Sequence, residues 1–240
     1  MTKNMNRRTV LGAAVGAGIV STLGGCSKTA ENKGTTLKKY TNDDFYKDGK
    51  FDVAAGKAAY FELMKSLNCP IYPQLQEKGG TLEIWAADFG LGDFVNCGMG
   101  GVFWMDDQKN HYFSHEIYLL PGQMIPEHGH VAAEGKPAKM EGWMVRYGSC
   151  YNFGDGDKGS LPVAEGLKKH ADKGLRLPES QKKFISSPKV EYLTLGQIRH
   201  LGKATRRHFL MGGPEGVIVN EAANIHVGAG LEFTNPGVKM

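Results

Sequence analysis

Gly122-Gln-Met-Ile-Pro-Glu-His128-Gly-His130, followed after Val131 to Met140 by Glu141-Gly-Trp-Met-Val-Arg-Tyr-Gly148, is the stretch whose reading decides the fold. Histidines at i and i+2 of an extended strand share one face, because side chains alternate with period two. A carboxylate on the next strand, Glu141, completes that face. Imidazole plus carboxylate suits a divalent first-row metal with positions left open for substrate oxygens. An isolated His-x-His is often a surface or core pair without a metal. Here the flanking glycines, Pro126 at the end of the preceding turn and the offset of Glu141 from Gly148 favour ligation. The expectation is a metal site on a small β-barrel.

The remaining chain agrees with a barrel. Glycine is frequent, 33 of 240 residues, and sits between short apolar runs, the texture of an all-β protein with many turns. Strands are expected over Leu82–Asp88, Val102–Asp106, Tyr112–Leu120, Gly142–Phe153, Tyr192–Leu195, Arg207–Met211 and Val217–Ala222. Asp52 reads as the N-cap of a helix from Val53 to Leu67, with Tyr60, Phe61, Met64 and Leu67 as its buried stripe. Leu161 to Phe184 is rich in Lys and Glu and reads as a surface insertion (about 161–184). Net charge is only +4, and no basic stripe carries interleaved aromatics, so nucleic acid is excluded as a partner. Cys69, Cys97 and Cys150 have no metal-ligand spacing and are expected as buried thiols.

The first 26 residues read as an address. Asn6-Arg7-Arg8-Thr9-Val10-Leu11 resembles a twin-arginine export motif, with Arg7 and Arg8 as the pair. The apolar run Val10 to Leu23 is short for a membrane span. Leu23-Gly24-Gly25-Cys26 resembles a lipobox, which makes Cys26 the lipidated residue of an exported, membrane-anchored protein. Residues 27–39 form a polar tether, and 40–240 a single domain with a helical segment at about 52–67.

The spacing Gly122, five residues, His-x-His, gap, Glu141, six residues, Gly148 is similar to the first cupin motif, with a longer gap here. A later strand must then bring a further histidine, and spacing alone leaves His200 and His208 open. The wider match resembles the D-lyxose isomerase family of cupin sugar isomerases. It is carried by Asp88-Phe-Gly-Leu-Gly92, Ser114-His-Glu-Ile-Tyr-Leu-Leu-Pro-Gly-Gln123, Pro126-Glu-His-Gly-His130, Arg146-Tyr-Gly148, His208-Phe209, Val219-Asn-Glu221 and Phe233-Thr-Asn-Pro236. The resemblance implies an all-β double-stranded β-helix (jelly-roll barrel) with an N-terminal helical extension. It also implies a metal held by His128, His130, Glu141 and His208. Manganese is the expected ion, with zinc, iron and cobalt as alternatives, and a homodimer is expected.

The activity so implied is aldose–ketose isomerisation, of D-lyxose with D-xylulose or D-mannose with D-fructose. A metal chelating both sugar oxygens polarises the carbonyl, and a general base moves the carbon-bound proton. The resemblance puts Glu221 in the role of base. Behind an apolar run, its pKa would rise toward the working range. Where the family carries a lysine ahead of Glu-Leu/Ile, this chain has His115, which becomes a substitute acid/base. Gly228-Ala-Gly-Leu231 replaces the family's charged segment near the C-terminus. Trp143 shares the face of Glu141, where it floors a sugar or fills the barrel. Arg146 lies at an odd separation from Glu141 and faces away in a regular strand. A β-bulge would turn it into a substrate contact. Two other readings stay open: a non-catalytic metal cupin that binds a sugar or sugar acid, and a cupin dioxygenase.

Overall fold

The computed structural model describes residues 36–239, so the expectations at Arg7, Arg8 and Cys26 lie outside the described residues. Among the described residues the first strands form a hairpin, β1 (Tyr46–Lys47) and β2 (Lys50–Phe51). Its two turn residues, Asp48 and Gly49, both have positive φ, as a two-residue type I′ turn requires. Helix α1 (Val53–Ser66) follows, and the Asp52 side chain accepts hydrogen bonds from the Ala54 and Ala55 amides. Its buried face is Gly56, Ala59, Tyr60, Leu63 and Met64. Tyr60 and Met64 of the expected stripe lie on this face, while Phe61 and Leu67 are only half-buried at its edges, because the i, i+3, i+4 spacing runs from Gly56.

The strands that follow are β3 (Trp85–Ala87), β4 (Met99–Asp107), β5 (Tyr112–Leu119), β6 (His128–His130), β7 (Glu141–Gly154), β8 (Leu161–Pro162), β9 (Lys189–Thr194), β10 (Ile198–His200), β11 (Phe209–Ala223) and β12 (Leu231–Phe233). The main sheet runs β3-β4-β5-β11-β7-β9-β8, with β10 also on β7, and β6 pairs with β12 in a small second sheet. All of these pairs are antiparallel.

Two runs expected as separate strands, Arg207–Met211 and Val217–Ala222, are one strand, β11. Its register against β7 breaks between Gly212 and Val217, where Gly-Gly-Pro-Glu-Gly bulges out. Gly148 sits opposite that bulge at φ +70°, with the Gly216 carbonyl where a Cβ would stand. This position of the motif therefore admits only glycine.

Helix α1 packs Tyr60, Leu63 and Met64 on one face of the sheet, against Phe94, Val102, Tyr118 and Ile218. The Tyr60 hydroxyl donates to Gln123 Oε1 at 2.8 Å, which ties the helix to the turn ahead of β6. The other face encloses Ile117, Leu119, Ile125, Val145, Val217 and Val219. A third cluster gathers Met124, Tyr151, Phe153, Phe209 and Met211. Over it lies the 161–184 segment, which contains β8, helix α2 (Val163–Lys169) and two 3-10 turns. Val163, Leu167 and Leu177 pack there, and Leu175 is fully part of the cluster. Cys97 and Cys150 are buried free thiols, and Cys69 is half-buried. Among the described residues no helix is long and apolar enough to cross a membrane.

Candidate metal centre

Strand β6 is three residues long and entirely buried, so both of its histidines enter the barrel interior. His128 exchanges backbone hydrogen bonds with His208, at 3.1 and 2.9 Å, which brings His208 across from the pair. Glu141, the first residue of β7, completes the group. The ligand atoms of His128, His130, Glu141 and His208 all lie within 4.8 Å of one another, and all four residues are buried. His200, the alternative left open by spacing, stands on β10 against Gly142 and outside this group.

The side chains fit a cation. The Nδ1 of His128 faces the Pro126 carbonyl at 2.9 Å, and the Nδ1 of His208 faces the Arg206 carbonyl at 3.0 Å. Only an Nδ1–H satisfies a carbonyl, so both neutral rings turn an Nε2 lone pair inward. The His208 Nε2 is 2.8 Å from Glu141 Oε1, and the His130 Nε2 is 3.3 Å from the same oxygen. Lone pairs at that distance repel unless a proton or a cation lies between them. Burial alone would lower the His208 pKa, but Glu141 outweighs it and raises it. Burial alone would raise Glu141, but Lys139, His130 and His208 hold it well below the usual range. Three imidazoles and one carboxylate form a donor set for a divalent first-row ion. Trp143 stacks on His208, with centroids 5.8 Å apart and planes within 7°, and so fixes the plane of that ring.

Glu221 on β11 lies opposite both Trp143 and His115 in register. Its carboxyl is pushed up to about 7, by burial first and then by the charge on Glu141, against the opposing pull of Lys139. Lys139 is the residue that sequence reasoning missed. Its Nζ is 2.5 Å from Glu221 Oε1 and 2.7 Å from Glu141 Oε2, and it is 8% exposed. Burial would lower the ammonium pKa, but the two carboxylates overcome this and raise it. A fixed positive charge, which a neutral His115 does not supply, thus enters from the chain ahead of β7. A signal was present: Lys139 and Glu141 are two apart, the same alternation that pairs His128 with His130.

His115 lines a cavity of about 80 Å³ together with His128, Lys139 and Glu221. Burial holds its pKa well below the ordinary value. Arg146 is corrected: it is not a cavity residue. A bulge does exist, since Val145 and Tyr147 pair with the consecutive Val219 and Ile218, leaving Arg146 as the extra residue. That extra residue takes the outward position and is exposed. Arg146→Ser will leave kcat/KM within about twofold of the parent, as for a surface change remote from a site; steady-state kinetics check this.

One buried carboxylate holds the frame of the site. Glu127, 2% exposed, accepts from the amide and hydroxyl of both Ser186 and Ser187 and from the Thr234 hydroxyl, at 2.6 to 2.9 Å. It pins the 180s loop and the end of β12 to the residue before His128. Burial alone would raise its pKa, yet these donors lower it. A lowered pKa contributes stability that is present above the ordinary value of about 4.3 and lost as pH falls toward the folded value. Glu127→Ala will cost about 3 kcal/mol at pH 7, because charged hydrogen bonds vanish and donors stay buried. The deficit will shrink as pH falls below 4, read by denaturant unfolding.

No family model matches the chain. A D-lyxose/D-mannose isomerase of Thermosediminibacter oceani is 30% identical over 179 residues, covering 75% of this chain and 88% of that protein. A D-lyxose ketol-isomerase of Cohnella laeviribosi is 27% identical, over 74% of this chain and 87% of that protein. Among solved structures, L-ribose isomerase of Cellulomonas parahominis superposes with a TM-score of 0.53 at 14% identity, covering 76% of this chain and 90% of that one. That likeness bears on fold alone, and the fold is the cupin double-stranded β-helix. The identity and coverage of the first relative show that this chain belongs to the D-lyxose isomerase family of sugar isomerases.

Proposed function

We propose that the protein is a metal-dependent aldose–ketose isomerase that interconverts D-lyxose with D-xylulose and also D-mannose with D-fructose. The observation that carries this reading is Glu221, with a carboxyl near pH 7, set beside Lys139 and the His128, His130, Glu141, His208 group. We assign manganese as the resident ion. When bound it supplies Lewis acidity toward the two sugar oxygens between which the carbonyl moves.

The chain's own residues do the rest. Glu221, ionised, takes the proton from C2 and returns it to C1. Lys139 hydrogen-bonds Glu221 and keeps the carboxylate aimed, and its ammonium is placed to move a proton between the sugar oxygens. Trp143 keeps the His208 ring in plane. Ile117, Phe89 and Phe233 wall the cavity and exclude water. With a lysine in the site, His115 is released from the acid/base role.

The test is the full chain with manganese, incubated with D-lyxose, D-mannose and D-xylulose and followed by chromatography. Ketose formed without oxygen uptake supports the reading, and no turnover by metal-loaded protein ends it for these sugars. We also propose export and lipidation at Cys26, on the motifs at Arg7-Arg8 and Leu23–Cys26, and a homodimer. Mass spectrometry of the mature N-terminus and sedimentation would decide each.

A further inference from the structure

The cavity beside the metal group has two ends, and only one holds the chemistry. On the inner face of the sheet, Glu221 of β11 stands opposite His115 of β5, and His115 opposite Phe103 of β4. Trp85 of β3 lies one strand further, paired at Gly101. At about 4.8 Å per strand this row runs roughly 14 Å along the sheet from Glu221 to Trp85. His115 stacks on Trp85, with centroids 5.4 Å apart. His226, after β11, stacks on Phe113 at 5.0 Å and meets Phe103 at 5.2 Å, closing that side.

These rings have polar atoms without partners. Trp85 Nε1, His115 Nε2 and His226 Nδ1 are each buried with no hydrogen bond. Buried polar groups are ordinarily paired, and three orphans around one cavity call for a partner from outside the chain. We infer that the end of the cavity walled by Trp85, His115 and His226 is a specificity-determining subsite that recognises uncharged sugar hydroxyls.

The charge pattern supports this. Lys139 is the one Lys or Arg lining the cavity among the described residues, and Glu141 and Glu221 already engage it. Burial first, then the charge of Lys139, pushes His226 down to about 4, so its ring is neutral at physiological pH. A phosphate or carboxylate at this end would be buried without a counter-ion. A neutral imidazole offers one donor and one acceptor and an indole one donor, which suits hydroxyls that both give and take. Gly101 belongs to the subsite's construction, because a Cβ there would collide with the His115 ring and with Trp85.

The inference rests on the isomerase reading, and its test separates the two. His226→Phe keeps the ring stack but removes the nitrogens. With the manganese-loaded full chain, KM for D-lyxose will rise about tenfold, with kcat nearly unchanged. 5-Deoxy-D-lyxose will cost the parent a similar factor and cost the variant little more. His226→Gln will recover part of the loss, and D-lyxose 5-phosphate will compete poorly against both. Metal content and melting temperature confirm that each variant is folded. Losses that simply multiply, or a phosphorylated sugar bound as well as the free one, would overturn the subsite. If no sugar is turned over, the isomerase reading has failed on its own. Calorimetry with D-arabinitol, the reduced form of D-lyxose, then decides the subsite. Binding weakened about tenfold in His226→Phe upholds it, and equal or absent binding overturns it.

Discussion

A Glu221→Gln protein will hold its metal as the parent does and turn sugar over about 10³-fold more slowly. Glutamine keeps the shape of the side chain and can still accept from Lys139 through its amide oxygen. It cannot take a proton from carbon. Glu221 is not one of the four clustered residues, so metal content is expected to be unchanged. The pH dependence carries the same information. A base works when ionised, so the parent's kcat/KM will rise with pH through a limb at or below about 7. A bound cation nearby favours the ionised form and moves that limb downward. In the glutamine variant the limb disappears. Exchange of the C2 hydrogen with solvent deuterium should fall in parallel with turnover. A variant with kcat within tenfold of the parent would remove Glu221 from the chemistry.

Much of this site could be read from the chain, for a physical reason. Alternation with period two is rigid, so His128 and His130 could be placed on one face from their spacing, while Glu141, on another strand, was placed by the motif that joins it to Gly148. The long strands β4, β5 and β7 showed the same regularity. The short strands β8, β10 and β12 carry no paired chemical residues like those of β6 to mark their alternation, yet β12 forms the wall against β6. Strand β11 read as two because its Gly212–Gly216 bulge has the composition of a turn, while the hydrogen-bonded ladder resumes beyond it. Arg146 illustrates the limit of the rule: alternation from Glu141 turned it outward, and the bulge that would have reversed this is present, yet Arg146 is itself the extra residue and stays outside. Glu127 was passed over because its donors come from positions far along the chain. Lys139 was missed because a lysine was sought only on the preceding strand.

Lys139→Met is the substitution with the largest expected effect on the metal-free protein. The ammonium lies between two buried carboxylates, 2.7 Å from Glu141 and 2.5 Å from Glu221. Methionine preserves most of the stem, so little packing is lost. What is lost is the only cation between like charges in a dry site. Removing one partner of a buried ion pair costs about 3–5 kcal/mol, because the other partner stays buried and uncompensated. For a chain of this size that lowers the melting temperature by roughly 10 °C. The deficit must depend on pH in a definite direction. Without Lys139 the Glu221 carboxyl, already raised, rises further, so the folded state holds a proton that the unfolded state has released. A raised carboxyl pKa contributes stability that declines as pH climbs from the unfolded value toward the folded one. The variant will therefore lag the parent more at pH 8 than at pH 5. Manganese should narrow the gap, since an ion on Glu141 returns positive charge to the pair. Turnover will stay low in the variant even when it is metal-loaded, because the proton carrier between the sugar oxygens is gone. Melting curves at the two pH values, with and without manganese, separate these effects. A deficit independent of both pH and metal would show that Lys139 only packs.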